Sequence, residues 1–169
     1  MLSLSTVAAP GQRRVLQNAL DAVATLPISG TATTGPALDP ALFRAGPNTR
    51  LVASAPHGEI LPSCSAVIGH GGHSTTMRAL LHGLPLVVIP CDTRIDQPAV
   101  ARAVERAGAG IALPKKASPE RIRAALTTVL EDPRYREAAG RIGDRLRAQH
   151  GTARAAAAVL ELAGTTAQV

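Results

Sequence analysis

The feature that most constrains this chain is an alternation: short apolar runs bounded by glycine or proline, separated by segments whose apolar residues keep helical spacing. The clearest run is residues 84–89, held between Gly83 and Pro90 with Pro85 near its start. A short continuous apolar run of this kind suits a central strand of a parallel sheet covered on both faces. Comparable runs lie at residues 2–6, 28–33 (closed by Gly35-Pro36), 49–53 (after a Pro47-Asn48 turn), 66–69 and 111–113. A helix opened by Pro10-Gly11 carries Leu16, Ala19, Leu20 and Val23 on one face. Others are expected near 74–82, stopped by Gly83, and near 95–107, with Val100, Ala103, Val104 and Ala107 aligned. Ser118 reads as the N-cap of a further helix, with Pro119 and Glu120 in its first turn and Ile122, Ala125, Leu126, Val129 and Leu130 facing inward. Two more helices follow the Asp132-Pro133 break, near 133–149 and 152–162. Strands alternating with helices predict one α/β domain over residues 1–169. Its core is a doubly wound, Rossmann-like parallel sheet of about six strands with helices on both faces. Ligands of such sheets bind at the carboxyl ends of the strands, near the switch in strand order.

Composition narrows the class. Hydrophobic residues make up 46% of the chain but aromatics only 1%, so the core must be built from Ala, Val, Leu and Ile. The net charge is +6, and Arg121, Arg123, Arg134, Arg136, Arg141, Arg145, Arg147 and Arg154 are interleaved with Glu131, Asp132, Glu137 and Asp144. That pattern reads as a solvated helix face. With Phe43 and Tyr135 as the only aromatics, stacking platforms for nucleic acid are lacking, and no nucleic-acid partner is expected. No apolar run approaches the roughly 20 residues needed to span a bilayer. The opening Met1-Leu2-Ser3-Leu4 lacks the basic and apolar regions of a signal peptide. A cytoplasmic chain without membrane contact is expected. Cys64 and Cys91 have no metal-ligand spacing and read as buried, reduced thiols. Residues 31–48, rich in Thr, Gly, Pro and Ala, are the segment expected to be flexible.

One segment carries chemistry: an apolar strand, then His70-Gly71-Gly72-His73-Ser74-Thr75-Thr76, then a helix. The first helical turn leaves N–H groups unpaired, and the macrodipole adds partial positive charge there. Gly71 and Gly72, lacking Cβ atoms, would let an anion approach the backbone. Ser74, Thr75 and Thr76 offer hydroxyl donors, and His70 can donate to a phosphate oxygen. The plainer alternative is a capped helix after a tight glycine turn. The segment is neither a G-x-x-x-x-G-K-[ST] loop nor a G-x-G-x-x-G fingerprint, which disfavours an ATPase or a dinucleotide oxidoreductase. Asp96-Gln97 lies at the start of the next helix, hence at the same carboxyl edge. A carboxylate beside an amide suits a hydroxyl-rich ligand, and Asp96 could equally be a helix N-cap.

The stretch from Val67 to Thr76, with Ala79-Leu80, then Gly83 to Pro90 and Asp96-Gln97, resembles the donor-site signature of family 1 glycosyltransferases of the GT-B fold. The likeness is strongest to the bacterial, and especially actinobacterial, enzymes that decorate natural products such as antibiotics. Pro56-His57-Gly58-Glu59-Ile60-Leu61-Pro62 resembles the loop and helix before that signature, and Leu4-Ser5-Thr6 the first strand and following loop. The resemblance covers nearly the whole chain.

It implies a transferase domain that binds a nucleotide diphosphosugar, a dTDP- or UDP-sugar, for inverting transfer to a small-molecule acceptor. His70, Gly71, Gly72, His73, Ser74 and Thr75 would meet the diphosphate, with His70 stabilising the leaving group. Asp96 and Gln97 would hold sugar hydroxyls. Ala55, Pro56 and His57 would lie against the nucleobase, and Ser5 and Thr6 near phosphate or ribose. No metal or other cofactor is implied, and Asp92 and Asp96 do not form the Asp-x-Asp motif of the other glycosyltransferase fold. Two departures stand out: Ser74, where many members carry Gly or Asn, and Arg78, where many carry a ribose-binding acid. A guanidinium cannot accept ribose hydroxyls, so Arg78 would pair with a phosphate or a neighbouring acid, or stay solvated. The family's general base lies in an amino-terminal acceptor-binding domain, and none of His57, His70, His73, His82 and His150 matches it. The expected partners are therefore the nucleotide-sugar donor and that acceptor-binding domain. The domain could instead be a separate subunit, as in a split enzyme, and two copies could pair through apolar surface. A non-catalytic nucleotide-binding module is the remaining alternative. A sugar-nucleotide epimerase shares the fold, but its catalytic acids have no match.

Overall fold

A computed structural model describes residues 1–4 and 9–164 of the 169. Six short strands form one parallel sheet: β1 (Leu2–Ser3), β2 (Gly30–Thr33), β3 (Thr49–Val52), β4 (Val67–Gly69), β5 (Leu86–Val88) and β6 (Gly110–Ala112). Their order is β3-β2-β1-β4-β5-β6. The chain winds outward from β1 in one direction, then crosses to β4 and winds in the other. The switch in strand order falls between β1 and β4, where Ser3 stands in register with Gly69.

The helices are α1 (Gln12–Ala24), the one-turn α2 (His57–Ile60), α3 (His73–Leu81), α4 (Gln97–Arg106), α5 (Pro119–Glu131), α6 (Pro133–Ala148) and α7 (Gly151–Leu162). Alternation along the strands sorts them onto two faces. Ile68, Val87 and Ile89 pack with Leu16, Leu20 and Val23 of α1 and Ile122, Leu126 and Val129 of α5. Val67, Leu86 and Val88 pack with Ala79 and Leu80 of α3, Ala101 and Val104 of α4, and Ala138 and Ala139 of α6. Small alanines on the second face let those helices approach the sheet closely, which is how an almost aromatic-free sequence fills both layers. Helix α7 is exposed along its length.

The expected architecture of about six parallel strands between two helical layers is what the chain forms. Strand limits differ. β5 pairs only over Leu86–Val88, although Leu84 and Ile89 are also buried. Pro85 has no N–H to donate, and its carbonyl accepts from Val67 N at 3.0 Å, marking the end of the ladder. β1 ends at Ser3, and Ser5 and Thr6, expected near phosphate or ribose, lie outside the described residues. The segment 31–48, expected to be flexible, carries a short turn and contacts to α1. Asp39 caps a 3-10 turn at Pro40–Leu42, Phe43 is buried against the α1 face, and Arg44 N donates to Gln17 Oε1 at 3.0 Å. Ser118 caps α5 as expected, its hydroxyl accepting from Arg121 N. Both cysteines are free thiols. Cys91 is buried, while Cys64 is only partly so. Among the described residues no helix is long and apolar enough to cross a membrane.

Candidate functional site

The site grows out of the turn that joins β4 to α3. Gly71 adopts φ +87°, a conformation side chains rarely tolerate, and a Cβ there would lie 2.8 Å from the Gln97 carbonyl oxygen. A Cβ on Gly72 would lie 2.5 Å from His70 Nε2 and 2.7 Å from Cε1. The two glycines thus do more than open the backbone to an anion. One lets the β4–α3 turn pack on the start of α4, and the other makes room for the His70 ring.

The ring fills that room. His70 is 9% exposed, and its buried Nδ1 has no hydrogen bond of ordinary geometry to the described residues, although the Ser3 backbone interacts with the ring. Leaving a buried polar atom short of a partner is costly. Burial holds the His70 pKa below the ordinary 6.5, against opposing pulls from the Ser3 backbone and the Asp96 carboxylate. The imidazole is therefore neutral at pH 7: one nitrogen donates and the other accepts.

Helix α3 starts immediately beyond. Its N-cap is Gly72, and no side chain caps it, which removes the plainer reading of a capped helix. The partial positive charge of the first turn is left for another group to meet. Ser74 is exposed and Thr75 half-buried at this end, whereas Thr76 is buried and lies outside the cavity lining.

A cavity of about 550 Å³ opens against this helix start at the carboxyl edge of the sheet, across the β1–β4 switch. It gathers His70, Gly72, His73, Ser74, Thr75 and Arg78 from the α3 side, with Ala55, Pro56 and His57 opposite. Every expected contact for nucleobase and diphosphate among the described residues is on its wall except Gly71, which packs beneath against Gln97. A second hollow, of about 430 Å³, opens beside Met1, Ile28 and Cys64 and brings together none of the expected site residues.

Ser3 and Thr33 are cavity residues that sequence reasoning missed. They end β1 and β2, and the Thr33 hydroxyl donates to Ser3 Oγ at 3.2 Å. Ser3 Oγ lies 3.2 Å from His57 Nε2. The available signal was a polar residue at the end of each of two strands bound for the core, since buried polar groups need partners. Burial, and then the Arg78 charge, lowers the His57 pKa, so this imidazole is also neutral at pH 7. Among the described residues, Arg78 has no acid within ion-pair distance. The wall therefore combines an uncapped helix start, two neutral imidazoles and one uncompensated guanidinium, a field that favours an anion.

Asp96 and Gln97 sit beside the cavity and not on its wall. Asp96 occupies the N-cap position of α4 but makes no capping bond. Its Oδ2 is instead 2.9 Å from His73 Nδ1. Gln97 is buried, and its Oε1 accepts from Cys91 N at 2.8 Å and Asp92 N at 2.9 Å. Two backbone donors at one end fix the amide's orientation and leave Nε2 as its free end. Among the described residues no cluster of His, Cys, Asp and Glu could hold a metal ion.

The order of six parallel strands, with a helix-start cavity at the switch, defines a Rossmann-like domain of the kind found in GT-B glycosyltransferases. Over residues 18–162 the sequence matches the family described as erythromycin biosynthesis protein CIII-like, C-terminal domain, and the chain belongs to that family. It is 35% identical over 119 residues to the 3-alpha-mycarosylerythronolide B desosaminyl transferase of Saccharopolyspora erythraea, covering 69% of this chain and 27% of that protein. The calicheamicin glycosyltransferase CalG4 superposes with a TM-score of 0.82 at 27% identity, over 99% of this chain and 43% of its own. The spinosyn rhamnosyltransferase SpnG complexed with thymidine diphosphate superposes with a TM-score of 0.74 at 28% identity, over 87% of this chain and 41% of its own. The chain spans between 27% and 32% of the curated relatives it matches first.

Proposed function

We propose that residues 1–169 are the donor-binding domain of an inverting glycosyltransferase. It holds a dTDP- or UDP-sugar for transfer to a small-molecule acceptor, in keeping with relatives named for desosaminyl and rhamnosyl transfer. The observation that carries this is the uncapped start of α3 facing the cavity, with the neutral, nearly buried His70 imidazole and Arg78 on the same wall. The relative complexed with thymidine diphosphate supports the ligand class.

In this reading the diphosphate lies across the start of α3 and meets the N–H groups of His73, Ser74 and Thr75. The Ser74 and Thr75 hydroxyls and His70 add donors. Arg78, which cannot accept ribose hydroxyls, contributes its charge to the phosphates. The nucleobase lies against Ala55, Pro56 and His57. Asp96 and the Nε2 of Gln97 take sugar hydroxyls. A base on an acceptor-binding domain or partner subunit deprotonates the acceptor hydroxyl. Its oxygen attacks the anomeric carbon from the opposite face, and the bond to the diphosphate breaks with its electron pair. The domain's share is electrostatic: N–H groups and His70, fixed before the reaction, meet charge as it builds on the leaving diphosphate. The proposed reaction uses no metal or other cofactor, and a donor drawn from soluble nucleotide sugars places it in the cytoplasm.

Calorimetric titration of the chain with dTDP and UDP tests the proposal. Binding of at least one nucleotide is expected, with a loss of about tenfold or more on His70→Ala. Unchanged affinity in that variant would put the ligand elsewhere.

A further inference from the structure

The pair His73 and Asp96 has no structural duty that accounts for it. The two side chains are 69% and 51% exposed, so packing does not force them together. Asp96 stands at the N-cap of α4 with helical φ −69° and ψ −16° and Pro98 in the first turn, so its carboxylate makes no capping bond and lies against the first residue of α3. The backbones beneath are in contact, with the Gln97 carbonyl against Gly71. The loop before Asp96 is anchored by the Gln97 amide to Cys91 and Asp92. Asp96 thus follows a loop anchored by a buried amide, and its Oδ2 lies 2.9 Å from His73 Nδ1, with no partner for Oδ1 among the described residues.

We propose that His73 is a positioning residue for the sugar half of the donor. By lying 2.9 Å from Asp96 Oδ2, its Nδ1 restrains the carboxylate so that Oδ1 is left for the sugar hydroxyls, and the contact couples the diphosphate turn to the sugar contact. The inference rests on the donor-site reading above and deepens it. It assigns His73 two functions on one residue: its backbone N–H serves phosphate and its side chain serves sugar. A freely rotating exposed carboxylate would lose rotamer freedom on meeting a hydroxyl, and holding it beforehand removes that cost.

The test is a ratio measured on the full chain by calorimetry: the Kd for UDP-glucose over that for UDP, and the same for dTDP-glucose and dTDP. In His73→Ala the sugar-bearing nucleotides should weaken more than the bare diphosphates, so that the ratio rises roughly fivefold. His73→Asn, which keeps a side-chain N–H, should restore part of the loss. Asp96→Asn should raise the ratio too, and adding His73→Ala to it should change little more, because the two residues act as one unit. Thermal unfolding of His73→Ala should match the unaltered chain, since both partners are exposed. A ratio unmoved by His73→Ala, or equal weakening of sugar-bearing and bare nucleotides, would overturn this proposal alone. Failure of the unaltered chain to bind any of the four ligands would overturn the donor-site reading together with it.

Discussion

The His70 imidazole occupies the space that a side chain on Gly72 would need, with Nε2 only 2.5 Å from where that Cβ would stand. Glycine at 72 is thus a condition for His70 to be where it is. The variant Gly72→Ala should displace the ring and cost about tenfold or more in nucleotide affinity while leaving the fold in place. Gly58→Ala, where a Cβ meets nothing within 4 Å, should leave affinity unchanged. Calorimetry on the two variants checks both outcomes.

Gln97 carries the loop that presents Asp96. Its buried Oε1 accepts from two backbone N–H groups, and removing it leaves both donors unsatisfied. Gln97→Ala should destabilise the chain by about 1–3 kcal/mol in urea unfolding. It should also weaken sugar-nucleotide binding more than diphosphate binding. A variant as stable as the unaltered chain would show that the loop is held by other means.

Much of this was legible in the sequence, for physical reasons that can be named. The strand–helix alternation is local, so the parallel sheet and both helical layers could be read, as could Ser118 capping α5. The β4–α3 turn was recognisable because glycines beside a helix start have a local cause. What those glycines accommodate was not recognisable. The fit of Gly72 to His70 depends on a rotamer, and that of Gly71 on a backbone 26 residues away in sequence, at Gln97. The Thr33–Ser3–His57 chain joins groups 30 and 54 residues apart, and only strand order brings them together. Gln97 was read as a ligand contact, and its anchoring of Cys91 and Asp92 needed the loop's path. In segment 31–48 the burial of Phe43 and the bond from Arg44 N to Gln17 depend on α1, distant in sequence.

Stability should fall on mild acidification. Burial lowers the His70 and His57 pKa values from the ordinary 6.5, so below that pH the unfolded chain takes up protons that the folded chain resists. The loss should begin near pH 6.5 and level off once the folded imidazoles titrate. Asp92, held at about 2 by Arg94, starts to matter only below the ordinary carboxylate value of 3.8. Urea midpoints at pH 7, 6 and 5 should therefore decline, and less steeply in His70→Gln. A midpoint that rises toward pH 5 would contradict the assigned burial.

Helix α6 offers a control off the cavity wall. Gly140 lies inside it, and a Cβ there meets nothing within 4 Å. Gly140→Ala should stabilise the chain by about 0.5–1 kcal/mol through helix propensity alone. The matching rise in Tm is about 1–4 °C, with nucleotide affinity unchanged. Differential scanning calorimetry reads the shift.

The central claim, that a nucleoside diphosphate sits on the start of α3 against His70, is tested most directly by amide chemical shifts. Titrating dTDP or UDP into ¹⁵N-labelled chain should move the backbone N–H signals of Gly72, His73, Ser74 and Thr75 most, with the His70 ring signals shifting at the same midpoint. The same ligand should leave those amides largely still in His70→Ala at equal concentration. Perturbations centred instead on Arg13, Arg14 and Arg44, or on the hollow beside Met1 and Cys64, would contradict the account.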